Sequence, residues 1–199
     1  MSDLLNVKAL CLSCLILVLT ATSTAQELPS RNTWDLSVWF AGATGEEHTD
    51  SFAEAQIYTA GVFVGRTIIR ELGSGWRRGS LEYGFDVVPL FVASGTHGLH
   101  GVGFDPVIVR WNSGHSFVRL SPYVELGGGG LATNSNFPAG DTSSFNFMAR
   151  GGGGFNIFAG ERHAIDLGCR WWHISNANLG ARNPEFNGVQ FSIGFHWLK

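Results

Sequence analysis

The chain has 199 residues, a formal net charge of −3 and a charged fraction of only 15%. Nucleic-acid-binding domains are usually strongly basic, so this balance argues against a nucleic-acid partner. The 27 glycines and the 13% aromatic content are both high, and they favour strands and turns over helices.

Residues 1–25 carry Lys8, then the apolar run ALCLSCLILVL, then small polar residues ending in Ser23-Thr24-Ala25. That is the order of regions in a secretory signal peptide. The apolar run is too short to span a bilayer comfortably, and no second one follows it. We therefore expect a signal peptide over 1–25 and one domain over 26–199. Cys14 does not read as a lipoprotein site, because it lies with Cys11 inside the apolar run, where a lipobox wants leucine. Cleavage removes both and leaves Cys169 without an intrachain disulfide partner.

From residue 30 onward the pattern has period two, as strands with two different faces require. Trp34, Leu36, Val38 and Phe40 alternate with Asp35 and Ser37. Leu81, Tyr83, Phe85 and Val87 oppose Glu82, Gly84 and Asp86. Val118, Leu120, Val124 and Leu126 oppose Arg119, Tyr123 and Glu125, while Phe145, Phe147, Phe155 and Ile157 oppose Asn146, Arg150 and Asn156. Two less regular strands fall at about 56–69 and 101–111, and two more occupy the C-terminal part, giving about eight in all.

The links alternate in character. AGATGEEHTDS, ASGTHG, ATNSNFPAGDTSS and NANLGARNPE are long or polar, whereas ELGSGWRR, NSGH and AGER are shorter. Long links at one end and short turns at the other predict an all-β fold, an eight-stranded antiparallel transmembrane β-barrel of outer-membrane type. Eight strands enclose a lumen that side chains just fill. The charged positions Asp35, Glu82, Asp86, Arg119, Glu125, Arg150, Asp166 and Arg170 then pair inside it, and the apolar faces meet lipid. A soluble lipocalin-like barrel shares the alternation with inside and outside exchanged. The charges on every second residue, the loop asymmetry and the aromatic end Phe195–Trp197 favour the membrane.

The seventh strand, AIDLGCRWWHIS, sets Asp166 and Arg170 on one parity and Trp171, His173 and Ser175 on the other. His173 and Ser175 are thus neighbours on the lipid-facing side. Polar groups there are costly without partners. They offer a general base beside a hydroxyl nucleophile where an amphiphile can reach both. Trp171 reads equally as an acyl-chain contact and as an interfacial anchor.

HISNA followed by NLGARNP resembles the H-x-S-N-A signature of the lipid A 3-O-deacylase (PagL, acyloxyacyl hydrolase) family of outer-membrane enzymes. RGSLEYGFDVVPLF, GVGFDPVIVRWN and SPYVELGGGG resemble it further, so the likeness covers most of residues 26–199. The resemblance implies a Gram-negative-type outer membrane, lipid A or lipopolysaccharide as substrate, and no cofactor. It implies Ser175 as nucleophile, His173 as base and Asn176 as oxyanion donor. The family's third member is a glutamate, and here the aligned position is Asn187, or Gln190 with a short insertion. Asn187 and Glu185 share the lipid-facing parity and Gln190 does not. Either Asn187 orients His173, which we favour, or Glu185 takes that part, or activity is reduced.

The other histidines lack metal-ligand spacing, and no metal is expected. His48, His97 and His100 read as loop residues, His115 and His163 as turn residues, and His196 as a hydrogen-bonded interior residue. The glycine runs at 127–130 and 151–154 lack the Lys-Ser/Thr of a phosphate loop and read as strand glycines. Two other classes stay open here: a non-catalytic small barrel with a structural or adhesion role, and a periplasmic lipid carrier. Assembly into a homo-oligomer is likewise open.

Overall fold

The computed structural model describes residues 24–25, 33–45, 55–94, 98–116, 119–138 and 142–199. The expected signal peptide lies outside them except for its last two residues, which pair with His115 and Ser116. Eight antiparallel strands close into a barrel. They are β1 Trp34–Gly45, β2 Gln56–Leu72, β3 Gly79–Ala93, β4 Leu99–Ser113, β5 Leu120–Thr133, β6 Phe145–Phe158, β7 His163–Ser175 and β8 Phe186–Leu198. Strand β8 returns to β1, with Phe195 opposite Val38. Backbone N–H and C=O groups find no water in hydrocarbon, so a sheet crosses a membrane only when it has no open edge.

Burial follows the period of two. Trp34, Leu36, Val38 and Phe40 point outward, while Asp35, Ser37 and Trp39 are buried. Tyr83, Phe85 and Val87 are exposed and alternate with buried Glu82, Gly84 and Asp86. Large apolar side chains therefore coat the outer wall, as a lipid-facing surface requires.

Charges fill the middle of the lumen, and the arginines Arg110, Arg150 and Arg170 are paired with carboxylates there. Glu125 on β5 accepts from Arg110 Nε and Nη2 on β4 at 3.0 and 2.8 Å, and also from Arg170 on β7. Arg170 Nη1 donates to Ser192 Oγ on β8 at 2.6 Å. Arg150 on β6 pairs with Asp86 and lies 3.4 Å from Asp105, and Trp39 Nε1 donates to Asp86 at 2.9 Å. His196, as expected, is an interior residue, with Nδ1 2.8 Å from Asp35. Arg110 lies between the Phe63 and Tyr123 rings, 4.9 and 4.5 Å from their centroids, an arrangement that adds cation–π attraction. Glycine makes the room: a Cβ on Gly154 or Gly168 would stand 2.8 Å from the Tyr123 hydroxyl.

Three features differ from the expected pattern. Arg119 is exposed in the turn before β5, which begins at Leu120, and lines the short-turn mouth of the lumen rather than its packed middle. Its carbonyl accepts from Phe158 N–H at 3.0 Å, which ties this turn to the end of β6. Asp105 and Arg110 are interior charges that alternation misses, since β4 and β5 shift register between Phe104 and Val107, around Pro106. A second shift, between Val88 and Phe91, encloses Pro89. Proline cannot donate to a ladder and is tolerated at such irregularities. Finally, the loop end of the lumen is apolar. Phe91, Leu131, Phe137, Trp172, Ile174 and Phe186 form a plug, with Phe137 entering from the β5–β6 loop to meet Phe91 edge-on at 5.6 Å.

Glu125 serves two buried arginines at once, and breaking a buried pair leaves uncompensated charge. Glu125→Ala is expected to destabilise the barrel by about 3–5 kcal/mol. Arg78→Ala breaks only the exposed pair with Glu71 and is expected to cost at most about 1 kcal/mol. Urea titration of the refolded protein in micelles, read by tryptophan fluorescence, compares the two.

Candidate active site on the outer wall

Strand β7 is held on both sides without a register shift, by β6 through Ala149 opposite His173 and by β8 through Asn187 opposite His173. Arg170, Trp172 and Ile174 point into the lumen, so the intervening Trp171, His173 and Ser175 point out. Residues two apart on a strand project to the same side, which places the imidazole beside the hydroxyl. The lumen carboxylates Asp166 and Glu125 lie on the opposite face of the wall. The pair is not an interior polar cluster of the kind a purely structural barrel would use.

Four side chains make one hydrogen-bonded row. Ser175 Oγ and His173 Nε2 are 2.9 Å apart. His173 Nδ1 is 2.8 Å from Asn187 Oδ1, and Asn187 Nδ2 donates to Glu185 Oε2 at 3.1 Å. Glu185 Oε2 is itself 3.9 Å from His173 Nδ1. Both candidates for the third position are thus present, with Asn187 in contact with the imidazole and Glu185 behind it. Asn187 is 9% exposed, whereas the side chains of His173 and Glu185 are 23% and 43% exposed. Trp171 stacks on His173 with centroids 5.7 Å apart and planes 18° apart, which fixes the ring's tilt. A hydroxyl bonded to an imidazole whose other nitrogen is held is the arrangement that activates a serine.

Asn176 is placed differently from the dyad. It is 1% exposed and turned into the β7–β8 loop. Its backbone N–H donates to Asn183 Oδ1, its Nδ2 to the Arg182 carbonyl, and its Oδ1 accepts from Asn178 N–H. Its carbonyl accepts from Leu179 N–H. Together these bonds hold Ala177 and Asn178 at φ 49° and 64°, a left-handed pair that costs a non-glycine residue about 1–2 kcal/mol. Gly180 lets the same loop pack on the β5–β6 loop, since a Cβ there would meet the Thr142 backbone. The sequence signal for this was present: asparagine is the residue that bonds its own backbone locally and tolerates the left-handed region.

His48 and His97 lie outside the described residues. His100 falls at the start of β4 rather than in the loop before it, with Nδ1 3.0 Å from the Gly98 carbonyl. Among the described residues no group of three His, Cys, Asp or Glu side chains is arranged to hold a metal ion. A cavity of about 460 Å³ opens at the short-turn mouth, lined by Asp35, Glu82, Asn112 and His196, at the opposite end of the barrel from the dyad. The dyad itself stands on a convex wall.

The family model described as lipid A 3-O-deacylase (PagL) matches residues 65–196, a stretch that contains every member of the hydrogen-bonded row. Among solved structures the chain is similar to the outer membrane enzyme PagL, with a TM-score of 0.53 and 19% identity over 82% of this chain and 98% of that one. It is also similar to the outer membrane protein OprG from Pseudomonas aeruginosa, with a TM-score of 0.50 and 10% identity over 87% of this chain and 99% of that one. Comparison with curated proteins gives no match. The two structures share the barrel, and the family model carries the assignment further: this chain belongs to the lipid A 3-O-deacylase (PagL) family of Gram-negative outer-membrane proteins.

Proposed function

We propose that the protein is an esterase that releases a 3-O-linked acyl chain from lipid A, with Ser175 as nucleophile and His173 as general base. One observation carries this reading: in a chain of this family, Ser175 and His173 are bonded at 2.9 Å on the outward face of the barrel. Ser175 Oγ attacks the ester carbonyl carbon and gives its proton to His173 Nε2. The bond from that carbon to the sugar oxygen then breaks, and His173 returns the proton to the leaving alkoxide. Water, deprotonated by His173, cleaves the acyl-serine and restores the hydroxyl. This sequence uses only the protein and water, without metal or organic cofactor.

The convex setting suits an amphiphilic substrate. The ester of a lipid in the outer leaflet arrives laterally at the height of the dyad, and the bilayer supplies the other wall of the site. Trp171 and Phe147, both about half exposed beside the dyad, are the side chains we assign to the acyl chain. Asn187 holds His173 from behind. To Asn176 we assign the loop, because its nearly full burial keeps its amide from a lipid-borne oxyanion.

Ser175→Ala and His173→Ala are each expected to lower deacylation by about 10³-fold or more. Mass spectrometry of lipid A after incubation with purified protein in mixed micelles measures this, and unchanged release of 3-hydroxyacyl chains by either variant contradicts the proposal. A long-chain alkyl fluorophosphonate is further expected to label Ser175 in the wild-type protein and to lose that labelling in His173→Ala. Equal labelling of both proteins would show a serine that owes nothing to the histidine.

A further inference from the structure

We propose that Glu185 sets the tautomer of His173 by acting through Asn187, an inference that rests on the reading of His173 as the general base. The argument is one of donor and acceptor directions. A carboxylate only accepts, so the 3.1 Å contact between Glu185 Oε2 and Asn187 requires the amide nitrogen there. With Nδ2 directed at Glu185, Oδ1 is the atom that faces His173, 2.8 Å from Nδ1. An amide oxygen accepts as well, so Nδ1 carries the proton. Nε2 is then unprotonated and accepts from the Ser175 hydroxyl at 2.9 Å. Every direction in the row follows from the one before it, and only the carboxylate at its head has no alternative.

Asn187 lacks this property on its own. Its amide is nearly symmetric in shape, and turned over it would present Nδ2 to His173. The imidazole would then accept at Nδ1 and carry its proton on Nε2, pointing at Ser175. That tautomer cannot take the serine proton. Here the amide and the carboxylate share the task of fixing the direction. The backbone is built to keep them in place. Asn187 is held in register with His173, and Phe186 between the two polar residues points inward, with its ring 6.2 Å from Trp172 and 6.3 Å from Phe137. Glu185 and Asn187 are thereby left side by side on the outward face.

The direction can be tested by keeping the row and exchanging its ends. Glu185→Gln puts two amides in series and removes the element with no alternative. Asn187→Asp added to Glu185→Gln gives a carboxylate that accepts from Nδ1–H and an amide at 185 that donates to it, the same directions with the charge moved inward. Long-range ¹⁵N–¹H spectra of histidine-labelled protein in micelles, with His173→Gln for assignment, report the tautomer without any substrate. The wild type is expected to show Nδ1–H, Glu185→Gln to gain Nε2–H, and the double variant to return to Nδ1–H. In the deacylation assay Glu185→Gln is expected to lower kcat by about 10- to 100-fold with KM held, less than the ~10⁴ that follows when a buried triad enforces the wrong tautomer. The double variant is expected to recover most of that kcat.

An unchanged tautomer in Glu185→Gln, or a double variant no better than Glu185→Gln, overturns the proposal. A wild type that shows Nε2–H overturns it as well. These results are independent of whether Ser175→Ala abolishes deacylation, so failure of the relay and failure of the esterase reading remain separable.

Discussion

The bonds from Arg170 to Glu125 and to Ser192 are the constraint on which the outer wall depends. They join β5, β7 and β8 through one guanidinium and fix which residues of β7 face the lumen. A slip of one residue would turn His173 and Ser175 inward and carry Arg170 into lipid, since side chains alternate at every step. The charge cluster is more than lumen filling. By refusing the lipid face, Arg170 places every second residue after it on that face. The shifts that bend the sheet lie between β2 and β5, while the three strands around the site pair without interruption. Irregular backbone and site-bearing backbone are thus kept on different sides of the barrel.

Polar side chains on a lipid-facing wall need partners, because neither water nor charge is available in hydrocarbon. The row from Ser175 to Glu185 answers that need internally. Each member uses a neighbour in the row, and its end, Glu185, lies at the loop edge and is the most exposed of the two charged or titratable members. The same bonds that make the residues tolerable there also give the imidazole a defined orientation. Stability and chemistry ask for one arrangement at this place. The apolar plug beneath, with Trp172, Ile174 and Phe186 in the lumen, holds the backbone of both strands at the height of the dyad.

Much of this was legible in the residues. Alternation at 34–40 and 81–87 declared strands with a polar and an apolar face, and the charges on β7 assigned the faces of His173 and Ser175 correctly. Asn187 was accessible by parity, because it shares the face of Val189 and Phe191. What alternation does not carry is register. Asp105 and Arg110 escape because Pro106 interrupts the count in β4, and Arg119 lies at the lumen's mouth rather than in its middle because a period of two does not announce where a strand begins. The role of Asn176 escaped for another reason. A motif names residue types, and only the loop geometry shows that its donors turn toward Arg182 and Asn183. The series arrangement of Asn187 and Glu185 likewise needs coordinates, since the spacing of two permits either residue to face the imidazole.

The central claim is that Ser175 becomes acylated during turnover. Trypsin cleavage after Arg170 and Arg182 isolates Ser175 in the peptide WWHISNANLGAR. Acid-quenching the protein during turnover of lipid A and sequencing this peptide by mass spectrometry tests the claim directly. The account predicts the peptide with the mass of one acyl group added, located on Ser175 and chased by water on longer incubation. Turnover with this peptide unmodified, and the acyl group found on another side chain, would contradict it.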